Sequence, residues 1–218
     1  MKIPAPRLIA ETQRWLVVDK PPGWLSIPRS SPGAPGDPET PCIRDWLRES
    51  RGSAFVVHRL DRETSGVLLF ARNEESQREA GIAFQSRKVR KTYDLLASGS
   101  PRAPVLKLDA PIRGAHAATQ VECVRRYGAH AFQGRARPVT GRRHQIRIHL
   151  SGAGHPILGD VEHGGARELA LPSGAALRVE RVALHASRLE LPGGEVFESA
   201  WPEDFAGWAR ALEEGTVI

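Results

Sequence analysis

Residues 57–72, VHRLDRETSGVLLFAR, place one carboxylate, Asp61, between Arg59 and Arg62. An apolar stretch precedes it and another follows the Thr64-Ser65-Gly66 turn, so the segment reads as two strands joined by a polar loop. A loop at a strand end presents a reactive group on a rigid support. An ionised carboxylate there has the chemistry of a nucleophile or a proton acceptor. A salt-bridged loop aspartate would look the same locally, and this segment alone leaves both readings open.

A second segment, residues 140–150, reads TGRRHQIRIHL and runs into SGAGHP. Thr140 is a candidate N-cap, Ile146 and Leu150 fall on one face at i, i+4, and the glycines suit a C-terminal stop. The spacing predicts a helix on which Arg143 and Arg147 fall together, with a strand as the alternative because Ile-Arg-Ile alternates. His144 and His149 invite a metal reading. On a helix they lie about 140° apart, and on a strand they point to opposite faces. Neither geometry lets the two share one ion easily, so no metal site is expected.

The surrounding elements have to hold these segments. LVVD at 16–19 reads as a short strand stopped by Pro21-Pro22-Gly23. Residues 28–41 are rich in Pro, Gly and Ser and read as a loop. Ile43, Trp46 and Leu47 give a helical face within 42–49, and 74–84 reads as a second helix. Strands are expected at 54–57, 67–70, 93–96, 118–126 and within 178–191, with LPGGE at 191–195 as a hairpin turn into 196–198. Residues 98–104 read as a further loop. Many strands and few helices, without regular βαβ alternation, predict an α+β fold.

Composition sets the outer bounds. The 218 residues carry a net charge of +6 and are 40% hydrophobic and 26% charged, which suits a folded domain with a proper core and excludes wholesale disorder. The positive balance suits a polyanionic partner, although charge alone does not establish one. Of the 31 basic residues 26 are Arg, the better bidentate phosphate ligand, though a GC-rich genome would produce the same bias. Cys42 and Cys123 stand far apart and in no CxxC spacing, so ordinary thiols are expected rather than a disulfide or a zinc site. No apolar run approaches membrane-spanning length and the N-terminus lacks a signal-type apolar region, which places the protein in the cytoplasm.

HRLDRETSGVLLFAR, RKVRKTYDLLASG and TGRRHQIRIHLSGAGHPILGD, in that order and spacing, resemble the motifs of the RluA-type RNA pseudouridine synthases. Upstream, VVDKPPGWLSIP resembles that family's opening motif, and LHASRLELPGGE with WPEDF resembles its closing region, so the likeness spans roughly residues 15–205. The resemblance implies Asp61 as the catalytic residue, Tyr93 packed against the target base with Lys91 before it, and Arg147 paired with the catalytic carboxylate. It implies that Arg59 holds the flipped-out nucleotide, and it places His58, Arg142, Arg143, His144, Gln145 and Ile146 in substrate or RNA binding. It further implies an α+β fold with a central mixed, mostly antiparallel sheet and a basic cleft, with no cofactor and no metal. The expected organisation is a single catalytic domain over 1–218, without a separate N-terminal S4-type RNA-binding domain. The expected partner is rRNA or tRNA, with no membrane and no obligatory protein partner, the chain acting as a monomer. Two places depart from the family pattern. Arg143 stands where a small hydroxyl residue is common, and VEHGG follows Gly159-Asp160 where an aromatic residue and Gly are usual.

The residue types suit that chemistry. Uridine isomerisation breaks the N1–C1′ bond, turns the uracil and rejoins it through C5. One carboxylate serves as nucleophile at C1′ or C6, or assists removal of the 2′ proton, and the sequence does not choose among these routes. An aromatic ring offers uracil a stacking face. Extruding a base from folded RNA costs a few kcal/mol, which the basic residues at 87–91 and 142–143 could offset through phosphate contacts. A sugar glycosidase would also attack an anomeric carbon, but it usually needs two opposed carboxylates, and Asp61 has no evident second. A binding factor that keeps the fold without the activity is the other rival, and the intact Asp61, Tyr93 and Arg147 argue against it.

Overall fold

The computed structural model describes residues 4–28 and 40–215. In chain order the elements are β1 Arg7–Glu11, β2 Trp15–Lys20, α1 Ile43–Arg51, β3 Phe55–Val56, β4 Ser65–Ala71, α2 Glu74–Gln85, β5 Arg90–Ser98, β6 Val105–Leu108, β7 Thr119–Tyr127 and β8 Ala131–Pro138. They continue with α3 Gln145–Gly152, a 3-10 turn at Val161–His163, β9 Glu168–Ala170, β10 Ala176–Arg178, β11 Leu184–Glu190, β12 Val196–Glu198 and α4 Glu203–Gly215. The α+β expectation holds. The chain packs as two compact units, the first from Met1–Arg90 and Ala186–Ala200, the second from Lys91–His185 and Trp201–Ile218.

In the first unit β1, β2 and β4 run antiparallel in that order, β3 adds to the end of β4, and β11 forms a hairpin with β12. All seven residues of β4 are buried, as is every residue of β2 except Asp19. Side chains alternate along a strand, so Trp15, Val17, Val67, Leu69 and Ala71 face one side, where they pack with Ala80 and Ala83 of α2. Leu16, Val18, Leu68 and Phe70 take the opposite face and are fully buried too. The continuous apolar run of β4 is thus what a strand covered on both faces requires. Helix α2 starts where Asn73 accepts the amide of Ser76 at 2.8 Å, an N-cap that satisfies one otherwise orphaned donor.

In the second unit β5, β8, β7 and β6 form an antiparallel order. Leu95, Ala97, Val121, Phe132 and Ala136 pack with Ile146 and Leu150 of α3 and with Phe205, Trp208 and Leu212 of α4. Arg181 grips Asp204 near the start of α4 with two bonds, 2.7 and 2.9 Å, while its guanidinium lies over the Trp208 ring.

Several expectations are corrected. The helix expected over 140–150 begins only at Gln145, and Thr140 is not its cap. The N-cap is His144, in the left-handed region at φ 54°, while the Thr140 hydroxyl donates to Gln145 Oε1 at 2.6 Å and accepts the Ala118 amide at 3.1 Å. Arg143 therefore lies outside the helix, exposed, and does not share a face with the buried Arg147. The strand expected at 54–57 is only two residues long. The strand material expected within 178–191 splits, with β10 ending at Arg178 and β11 starting at Leu184. Of the loop expected over 28–41, residues 29–39 lie outside the described residues.

Candidate active site

In the first unit, Asp61 occupies a turn between Leu60 and Ser65, half-buried. The turn closes on itself through the Thr64 amide, which donates to the Asp61 carbonyl at 3.2 Å. It is pinned on both sides. Before Asp61, the Ser26 hydroxyl donates to the Leu60 carbonyl at 2.9 Å and accepts the Leu60 amide at 3.0 Å. After it, the Arg62 carbonyl accepts the Gly23 amide at 3.0 Å and the Lys20 ammonium at 2.9 Å. Lys20 is 0% exposed and also donates to the carbonyls of Pro21 and Trp24, at 3.0 and 2.9 Å. A buried cation is tolerated only where such acceptors satisfy it. Gly66, the second residue of β4, has φ 110°, and a Cβ there would sit 2.2 Å from the Ala186 carbonyl oxygen. Only glycine fits that position.

His58 is committed to the fold. Its Nε2 accepts the Leu69 amide at 3.0 Å and its ring stacks on Phe84 with centroids 4.9 Å apart. The acceptor role means that this nitrogen carries no proton. Arg59 is exposed and has no partner among the described residues.

In the second unit, Tyr93 sits half-buried on β5 opposite Ala136 of β8. Two residues earlier, Lys91 donates to the Thr140 carbonyl at 3.1 Å, and burial holds its ammonium below the usual lysine range. Gln145 knots the neighbouring segments together. It is 4% exposed; its Oε1 accepts the Arg142 amide at 3.0 Å, and its Nε2 donates to the Ala118 carbonyl and the Thr119 hydroxyl, both at 2.9 Å. Ile146 packs in the second unit's core. Gln145 and Ile146 thus face the interior, and their geometry is that of positioning groups. Arg142 and Arg143 are exposed, with Arg142 Nε donating to the His116 carbonyl at 3.2 Å.

Arg147, with 7% of its side chain exposed, grips Asp160 in a fork of two bonds, 2.8 and 2.7 Å, and reaches Glu162 at 3.0 Å. The fork fixes the plane of the guanidinium. His149 is satisfied in the interior between the Thr119 hydroxyl and the Ala110 carbonyl, each at 2.9 Å, whereas His144 points to His163 at 3.1 Å. Lys20, Ser26 and Asp160 carry no motif that marks them as site residues in the sequence. A lysine ending a strand directly before Pro21-Pro22-Gly23 was the available signal for Lys20, and an aspartate directly after the apolar Ile157-Leu158-Gly159 run was the signal for Asp160.

A model of the RNA pseudouridylate synthase family matches residues 14–152, which include the Asp61 turn, Tyr93 and Arg147. The chain belongs to that family. This pseudouridine synthase is 30% identical to the dual-specificity RNA pseudouridine synthase RluA of Pasteurella multocida over 184 residues, covering 78% of this chain and 82% of the relative. It is 35% identical to the ribosomal large subunit pseudouridine synthase D of Xanthomonas campestris pv. campestris, covering 96% of this chain and 70% of the relative. Among solved structures, human RNA pseudouridylate synthase domain containing 4 superposes with a TM-score of 0.79 at 22% identity, over 94% of this chain and 92% of that one. The likeness to the solved structure concerns the fold, and the likeness in sequence marks the synthase as RluA-type, an isomerase. Among the described residues no helix is long and apolar enough to cross a membrane.

Proposed function

We propose that this pseudouridine synthase isomerises uridines in structured rRNA or tRNA and that Asp61 is its catalytic nucleophile. The observation that carries the assignment is the pinning of the Asp61 turn. Four hydrogen bonds from Ser26, Gly23 and Lys20 engage the backbone directly before and after a half-buried carboxylate. A fixed reacting group lowers the entropic part of a barrier, and a plain surface aspartate needs no such scaffold.

In this reading Tyr93 provides the ring on which uracil stacks, and Lys91 sets the start of β5 by tying it to Thr140. Arg147, oriented by Asp160, supplies a fixed positive charge that favours the ionised form of an approaching carboxylate. Arg59, exposed and without a partner among the described residues, is the group for the extruded nucleotide. Arg142 and Arg143 contact phosphate, while His58, Gln145 and Ile146 position the segments that carry the contacts. During turnover the N1–C1′ bond breaks, C5 becomes bonded to C1′, and the proton leaving C5 is balanced by the one that N1 gains. The residues of 1–218 act together as one catalytic domain, in the cytoplasm and as a monomer.

The test is to incubate the purified protein with total RNA from cells lacking the gene and to map pseudouridine. New pseudouridine at defined positions is expected, in rRNA, tRNA or both. Its absence from every RNA would overturn the proposal.

A further inference from the structure

The loop that departs from the family pattern, VEHGG, brings two side chains to His144. Glu162 and His163 lie in the 3-10 turn after Asp160, and His144 precedes α3. The loop is shaped by its own backbone. The amides of His163 and Gly165 both donate to the Asp160 carbonyl, at 3.1 and 2.7 Å, and Gly159 N donates to Ala166 O at 2.8 Å. At Gly165 a Cβ would fall 1.9 Å from the Ile157 carbonyl oxygen, so the chain passes where only glycine has room. Asp160 is in turn fixed by the fork of Arg147.

His144 Nδ1 lies 3.1 Å from His163 Nε2 and 3.4 Å from Glu162 Oε1, and one ligand atom from each of the three residues falls within 4.8 Å of the others. Tetrahedral zinc binds imidazole nitrogen and carboxylate oxygen at about 2.0–2.1 Å, which sets neighbouring ligand atoms about 3.3 Å apart. The two measured spacings match that edge. The His144 side chain is only 12% exposed, and Oε2 of Glu162 is already held by Arg147 at 3.0 Å, leaving Oε1 for an ion. Such an outer bond to a ligating carboxylate is the usual way its orientation is set.

We propose that His144, Glu162 and His163 form a binding site for a zinc-class divalent cation, with water completing the coordination. Both imidazoles then carry their proton on the nitrogen away from the ion. The contact from Arg143 Nε to His144 Nε2, at 3.5 Å, is given up on loading. The site stands independently of the role assigned to Asp61, and its readout is metal binding rather than turnover.

The experiment is calorimetric titration of the chelator-treated full chain with Zn2+, together with the visible spectrum of the Co2+ form. One ion per chain and an intense tetrahedral Co2+ band are expected. His163→Ala and Glu162→Gln should each weaken binding by about tenfold or more. If His163→Ala fails to fold, Glu162→Gln carries the comparison, because that side chain is 60% exposed. No binding by the parent chain, or parent affinity retained in the folded variants, would overturn the site.

Discussion

The buried ammonium of Lys20 donates to the carbonyl oxygen of Arg62 at 2.9 Å, one residue beyond Asp61. Strand β2 thereby holds the far side of the turn through a charge, while the Gly23 amide binds the same oxygen. Lys20→Met keeps the aliphatic stem but leaves carbonyls without their donor. It should cost about 2–5 kcal/mol of stability and lower kcat more than it raises KM. Denaturant unfolding and steady-state pseudouridine assays on the folded fraction check this; an unchanged kcat would remove Lys20 from the positioning of Asp61.

Asp61→Asn conserves shape and removes the nucleophilic charge. Turnover should fall below detection while RNA affinity stays within about threefold of the parent, since binding rests mainly on phosphate contacts. Arg59→Ala should do the reverse, weakening productive binding with a smaller effect on kcat. Filter binding and single-turnover kinetics separate the two, and comparable activity in Asp61→Asn would remove its assigned role.

Arg147→Lys replaces a planar fork by a single ammonium, which is not a conservative change at a bidentate site. Of the two bonds to Asp160, at 2.8 and 2.7 Å, at most one survives well aligned. The rate should drop about tenfold or more, with RNA affinity little altered. Asp160→Asn should reproduce part of the loss, because it acts only through the orientation of Arg147. A parent-like rate in both variants would separate the fork from catalysis.

Burial lowers the pKa of Lys91 from its ordinary 10.5. In the window between the folded pKa and 10.5 the unfolded chain binds more protons than the folded one, so this residue makes the fold relatively more stable as pH rises. The penalty is fully present below the folded pKa and is relieved toward 10.5. Parent minus Lys91→Met stability should therefore increase as pH is raised toward 10.5, measured from urea midpoints. A flat or falling difference would contradict the burial of a charged ammonium.

Much of the architecture was legible in the sequence because its signals are local. The apolar run 67–70 announced β4, the 43/46/47 spacing announced α1, and the LPGGE turn announced the β11–β12 hairpin. The start of α3 was not legible. Thr140 carries good cap chemistry, but its hydroxyl is taken by Gln145 and the Ala118 amide, a long-range competition that no local pattern reveals. β8 was equally hidden: Gln133, Arg135 and Arg137 alternate with buried positions, but Gly134, Ala136 and Pro138 there are too small or too unlike strand residues to mark an apolar face. In the candidate site, the residues bearing reactive groups stood out by type. Those that hold them, Lys20 and Asp160, did not, because their role lies in partners 42 and 13 residues away.

Strand β4, buried along its whole length, leads directly out of the Asp61 turn. The amides of such a strand exchange with solvent only when the whole unit opens. The reactive turn is therefore hung from one of the last segments to loosen on heating. Inactivation by heat should coincide with the cooperative melting of the first unit, with no earlier, partially active phase in which the protein is still folded but the carboxylate has lost its place.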